Sequence, residues 1–174
     1  MIRIIALSTA AALAFVAGWS VMNHVIPKVI MVKAMEGLSA RGDGVNTMTL
    51  RAKADPYNQF VVRPSPDLLY STCVYDLELG PLEVTIGGTE GYLSVSFFDD
   101  LTNNYETIQD DDLGTELRRV MLTREDQETP TDDFTVISPS QRGLVLIRRQ
   151  ISGKSALSRM TMAQADDGCQ TMPL

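Results

Sequence analysis

Short runs of alternating apolar and polar residues, each closed by a turn former, constrain this chain more than any other feature. In Tyr92-Leu93-Ser94-Val95-Ser96-Phe97, the residues Leu93, Val95 and Phe97 share one face of an extended strand, while Ser94 and Ser96 share the other. Gly80-Pro81 and Gly87-Gly88 bracket Leu82 to Ile86, and a helix would not tolerate either pair inside it. The same reading predicts strands at Gln59 to Arg63, Leu68 to Asp76, Leu82 to Ile86, Tyr92 to Phe98, Leu117 to Thr123, Phe134 to Ile137 and Leu144 to Ile151. Close spacing of this kind predicts a mainly β fold, an antiparallel β-sandwich or barrel-like domain. Leu144 to Ile151 begins as a continuous apolar run and turns polar, as in a strand leaving a core. Ser155 to Ala165 holds good helix formers without a breaker, which predicts a short C-terminal helix. Asn46 to Tyr57 reads as a crossing loop, and Arg124 to Asp133 and Asp110-Asp111-Asp112 as solvated loops.

The first thirty-odd residues follow a different rule. Ile4 to Met22 is a charge-free stretch of about twenty residues, enough to cross a bilayer as a helix. The Ala-x-Ala patterns at Ala10 to Ala14 fall inside that stretch, too early for a cleavage site, so a retained transmembrane helix is expected. Met22, Val25, Ile26, Val29 and Ile30 continue at helical spacing, and Met31 to Leu38 is helix-compatible and ends near Gly37. The chain therefore divides into an anchor and juxtamembrane helix over 1–38 and a soluble β domain over 39–174. Arg3 precedes the span and Lys28, Lys33 and Arg41 follow it, a balance that by itself puts the domain in the cytoplasm. Against that count, Pro27 and the amphipathic pattern suggest that these basic residues lie on a helix facing lipid headgroups.

A formal net charge of −7, with Lys and Arg scattered or in isolated pairs, excludes nucleic acid as a partner. His24 is the only histidine and sits beside the apolar span, which leaves the domain without a histidine base or a histidine-bound metal. No Cys-x-x-Cys spacing, Gly-rich phosphate loop or dinucleotide fingerprint is present, and no metal or cofactor is expected. The two cysteines allow two readings. Either Cys73 and Cys169 form one bridge closing a loop of roughly 95 residues, worth about 4 kcal/mol, or Cys73 is a small buried hydrophobe and Cys169 a free thiol in a loose tail.

Two polar clusters are candidate ligand- or partner-binding sites. Asp99-Asp100 with Thr102-Asn103-Asn104 is the densest group of oxygen donors, suited to a small molecule or a hard cation, or else to a turn bonded through its own side chains. The second is Arg63, Asp67 and Tyr70. Pro64 and Pro66 stiffen an arch that presents Asp67, either as an electrostatic anchor for a ligand or as an ion pair bracing the arch against the sheet. Both clusters follow or interrupt strand-like runs, and they are expected at one side of the sheet, bordering a single concave surface.

Val62-Arg-Pro-Ser-Pro-Asp-Leu-Leu-Tyr-Ser71, Asp76-Leu-Glu-Leu-Gly-Pro81 and Leu101-Thr-Asn-Asn104 occur in that order. The series resembles the bacterial envelope family called domain of unknown function 1254, here in a short, membrane-anchored form. The resemblance implies an envelope address, and with it an inner-membrane single-pass protein whose domain lies in the periplasm. Longer relatives follow this domain with a second one, so the resemblance also implies a separately encoded, membrane-anchored envelope partner that covers a surface left open here. The expected function is a periplasmic binding or assembly subunit without catalysis. Two alternatives are an envelope enzyme acting on a small polar substrate through carboxylates or a bound metal, and an accessory subunit of a larger inner-membrane complex. In the last, Ala10, Ala11, Ala12, Ala14, Ala17 and Gly18 would let helices approach closely.

Overall fold

Alternation is realised strand by strand. In the long strand Arg142–Gln150, residues Gly143, Val145, Ile147 and Arg149 point inward and their neighbours are less buried. The structure is a computed structural model that describes residues 2–55, 57, 64–109, 116–127, 134–153 and 156–172. After a helix α1 (Ile2–Ala40) come β1 (Thr49–Arg51), β2 (Leu68–Asp76), β3 (Leu82–Ile86), β4 (Leu93–Phe98), β5 (Asn104–Gln109), β6 (Arg118–Thr123), β7 (Phe134–Ile137) and β8 (Arg142–Gln150). A short helix α2 (Ala156–Ala165) and a last strand β9 (Gly168–Thr171) close the order.

The strands form a five-stranded sheet, β1-β2-β8-β4-β5, and a four-stranded sheet, β7-β6-β3-β9. The first is antiparallel throughout; the second is mixed, because β7 runs parallel to β6. Inward residues of both sheets make one core: Cys73 and Tyr75 of β2, Val95 and Phe97 of β4 and Ile147 of β8 meet Val84 of β3, Leu122 of β6 and Val136 of β7. This is the sandwich that the alternation predicts. Cys73 and Cys169 are bridged, with Cα atoms 6.4 Å apart, which ties β2 of one sheet to β9 of the other. Of the two cysteine readings, the disulfide holds.

Several expectations change. The stretch Asn46 to Tyr57, read as a loop, contributes β1; the tail contributes β9; and the chain after the Asp-Thr-Asn corner contributes β5. The strand expected at Gln59 to Arg63 lies outside the described residues. Ser94 and Ser96 share the outer face of β4, as the alternation predicts, and are buried there, with the Tyr92 hydroxyl and the Arg148 guanidinium reaching their hydroxyls.

Helix α1 is long and apolar enough to cross a membrane, and residues 3–30 are exposed apart from a half-buried Pro27. It does not end near Gly37 but runs unbroken through Pro27 to Ala40. Its C-terminal part belongs to the packing of the β domain: Met31, Met35 and Leu38 bury themselves against Val74, with Phe98 and Leu144 beside them, on the outer face of the five-stranded sheet. Arg51 of β1 donates to the carbonyls of Leu38 and Arg41, so the last turn of the helix is fastened to an edge strand.

Candidate functional site

The Asp-Thr-Asn corner follows β4 and turns the chain into β5. Asp99 is buried, and its carboxylate accepts from the N–H groups of Leu101 and Asn103, both at 2.8 Å, and from the Asn103 amide, also at 2.8 Å. The Asp99 N–H closes the loop by donating to the Asn103 carbonyl. Three donors on one carboxylate hold Thr102 at φ 69°, a left-handed conformation uncommon for a β-branched residue. The side chain of Asn104 meets the Thr107 hydroxyl at 2.8 Å. Of the two readings of this corner, the side-chain-bonded turn accounts for Asp99, Thr102, Asn103 and Asn104. Asp100 stands apart: its N–H donates to Ser140, and its carboxylate faces outward, 3.5 Å from the Lys28 ammonium of α1.

Both residues of that ion pair line a groove of about 530 Å³ between α1 and the five-stranded sheet. Val32 and Met35 of the helix and Val74 of the sheet form its apolar wall, and Asp76, Gln141 and Arg142 belong to its polar lining. Asp76 accepts from Arg142 at 2.6 Å, from Gln141 at 3.1 Å and from the Glu78 N–H at 3.0 Å. Burial by itself would raise the Asp76 pKa, but the hydrogen bonds from Gln141, Glu78 and Arg142, with the Arg142 charge, outweigh it and hold the carboxyl below its ordinary value. Beneath this groove Tyr75 is fully buried. Its hydroxyl meets Ser138, Tyr105 and the Phe98 carbonyl, and burial pushes its pKa upward, as it does for Tyr105. Gly143 lies against this hydroxyl and the Phe98 carbonyl, with no room for a Cβ.

The proline arch lies elsewhere. Ser65 donates its N–H to the buried Tyr70 hydroxyl at 3.0 Å, and Ile151 donates to the Asp67 carbonyl, so Tyr70 and Asp67 fasten the arch to β2 and to the end of β8. Arg63 lies outside the described residues. Leu68 pairs with Gln150 at one end of β8, whereas Phe98, just before Asp99, pairs with Leu144 near the other. Asp67 and the Asp99–Asn104 corner are thus at opposite ends of the sheet. The expected single concave site does not form, because the antiparallel register of β2, β8 and β4 places the start of β2 beside the start of β4.

Sequence reasoning missed one further node. Arg149, 1% exposed, forks onto the buried Asp167 carboxylate with contacts of 2.6 and 2.5 Å, and donates to the Gly87 carbonyl at 2.7 Å. Asp167 also accepts from Ser71 at 2.6 Å and from the Gly87 N–H at 3.0 Å. The node joins β8, β2, the chain after β3 and the turn after α2. Period-two alternation from Gly143 through Val145 and Ile147 to Arg149 was the signal that could have placed this arginine inside.

The geometry defines a two-sheet β domain, disulfide-linked, with the end of an apolar helix built into its outer face. A family model described as "Protein of unknown function (DUF1254)" matches residues 45–171, and the chain belongs to that family. Among solved structures, the fold is similar to that of the VPA0106 protein from Vibrio parahaemolyticus, with a TM-score of 0.64, 13% identity and 88% of this chain covered. It is also similar to an uncharacterized protein from Burkholderia cenocepacia, with a TM-score of 0.51, 10% identity and 70% covered. The chain spans 36% of the length of each. Comparison with curated proteins gives no match.

Proposed function

We propose that this is a single-pass protein of the bacterial inner membrane whose β domain faces the periplasm and serves as a binding or assembly subunit beside a separately encoded envelope partner. The observation that carries the reading is the bridge between Cys73 and Cys169. A structural disulfide persists in an oxidising compartment, whereas cytosolic thiols are kept reduced. That weighs against the Lys/Arg count, in which Lys28 is engaged with Asp100 and Lys33 with Glu36. A binding role is favoured over carboxylate catalysis because Asp99 and Asp76 are already committed to protein donors. A partner surface is supported by β7, an edge strand with Phe134 and Ile137 more than half exposed. Large apolar side chains left exposed together on one strand mark a surface that another protein can cover.

Alkaline phosphatase fused after Leu174 should be active, because that enzyme matures only outside the cytoplasm, and non-reducing gels should show the domain oxidised in cells. An inactive fusion beside an active cytoplasmic reporter would overturn the orientation. Phe134→Glu should remove from the detergent-solubilised protein whatever co-purifies with the wild type; equal recovery would move the partner surface elsewhere.

A further inference from the structure

We infer that the groove between α1 and the five-stranded sheet binds the headgroup of a zwitterionic aminophospholipid, phosphatidylethanolamine in chemical class. The inference rests on the proposed membrane anchoring of α1. Its geometry starts from the helix. The charge-free span ends at Met22, and six further residues carry the axis about 9 Å to Lys28. The polar headgroup layer is roughly 5–7 Å deep on each side of the hydrocarbon. Lys28 therefore stands at its outer boundary, and Asp100, 3.5 Å from that ammonium, is held at the same level. Because α1 continues unbroken into the domain and buries Met31, Met35 and Leu38 there, the groove is held at the membrane surface without an intervening linker.

The lining specifies the chemistry. Val32 and Met35, about one and two helical turns beyond Lys28, form with Val74 an apolar wall that continues from the headgroup level into the domain. The charged lining consists of Lys28 and Arg142 against Glu36, Asp76 and Asp100, so anions predominate and a purely anionic headgroup is disfavoured. Arg142 is committed to Asp76 at 2.6 Å, but Lys28 and Asp100 are a loose pair, 61% and 32% exposed and too far apart for a hydrogen bond. A phosphate and an ammonium can enter between them, phosphate to Lys28 and ammonium to Asp100. Every charge then keeps a partner, which an anionic or a cationic ligand alone would not achieve. The volume, about 530 Å³, falls within the range of small-ligand sites.

The test uses the full-length protein in detergent with dioleoyl phosphatidylethanolamine, phosphatidylcholine or phosphatidylglycerol added, and reads retained lipid by native mass spectrometry. Phosphatidylethanolamine should be retained at least tenfold over phosphatidylglycerol. Both Lys28→Ala and the groove-filling Val32→Trp should reduce that retention about tenfold while leaving the melting temperature close to wild type. Arg119→Ala, at an exposed site on the other sheet, should not change it. Equal retention of the three lipids, or unchanged retention in Lys28→Ala and Val32→Trp, would overturn the inference. Soluble glycerophosphoethanolamine at the same concentration should compete poorly; displacement by it as effective as by the lipid would overturn the assignment to a membrane lipid. Carbonate extraction separates the two readings: release of the protein from membranes defeats the anchor, whereas an integral protein without lipid selectivity defeats only the groove.

Discussion

Removing the Asp167 carboxylate should be among the most damaging single changes to this fold. Asp167→Ala would leave Arg149, 1% exposed, with a buried guanidinium whose remaining acceptor is the Gly87 carbonyl at 2.7 Å. It would also orphan the Ser71 hydroxyl and the Gly87 N–H, which now donate to the same carboxylate. Breaking a buried, hydrogen-bonded ion pair from one side costs about 3–5 kcal/mol, and each unsatisfied neutral donor adds about 1–3 kcal/mol where water cannot reach it. Relaxation that lets water in will cut the total, so a loss of at least 3 kcal/mol is expected. A second variant isolates the cause. Replacing the whole node with apolar groups, Arg149→Met with Asp167→Leu and Ser71→Ala, removes the stranded charge and should recover most of the loss. Urea denaturation of the full-length protein in detergent, followed by far-ultraviolet circular dichroism at the β-sheet minimum, reads all three proteins on one scale. A loss under about 1 kcal/mol for Asp167→Ala, or equal losses for the single and triple variants, would refute the reasoning.

Phe97→Ala removes a fully buried aromatic from the centre of the sandwich and should cost about 3 kcal/mol by the same titration; a surface-like change would place Phe97 outside the core. Opening the Cys73–Cys169 bridge closes off a loop of 96 residues no longer, so the double serine variant should lose about 4 kcal/mol on the chain-entropy model, and unchanged stability would show that the bridge constrains nothing. Pairing holds the Asp76 carboxyl below its ordinary value in the folded chain, so its ionised form contributes stability that is fully present above about pH 4 and is lost as pH falls through the lowered folded-state value. The stability gap between wild type and Asp76→Asn should therefore shrink on acidification, and a constant gap from neutral to acid pH would contradict it. At alkaline pH the sign reverses for Tyr75 and Tyr105: their raised folded-state values give stability that is present below about pH 10 and lost above it, so their tyrosinate absorbance should rise together with unfolding.

The strands legible in the sequence are mostly those that show both an inner and an outer face. Leu93, Val95 and Phe97 alternate with serines, and Leu82, Val84 and Ile86 alternate with Glu83 and Thr85, because each of these strands has a neighbour on both sides and a core beneath it. The three strands missed, β1, β5 and β9, are all edges. An edge strand buries little, carries polar side chains and owes its conformation to one neighbour, so its signal resides in the partner strand's register rather than in its own residues. Arg149 was misread for a related reason. Its period places it inside, but its charge argues for solvent, and the contest is settled by Asp167, eighteen residues further along the chain.

The same logic explains why two correctly noticed polar clusters were wrongly joined. Local sequence shows that Asp67 directly precedes a strand and that Asp99 directly follows one, and both statements hold. Whether the start of one strand lies beside the end of another depends on the order and direction of pairing. Here β8 lies between β2 and β4 and is antiparallel to both, which makes β2 and β4 point the same way. A residue before β2 and a residue after β4 must then lie at opposite ends of the sheet. The groove between α1 and the five-stranded sheet was equally hidden, since one of its walls is the helix that the sequence assigns to the membrane. Only the burial of Met31, Met35 and Leu38 against Val74 shows that this helix and the domain share a surface, and this sharing is what brings Lys28 to Asp100.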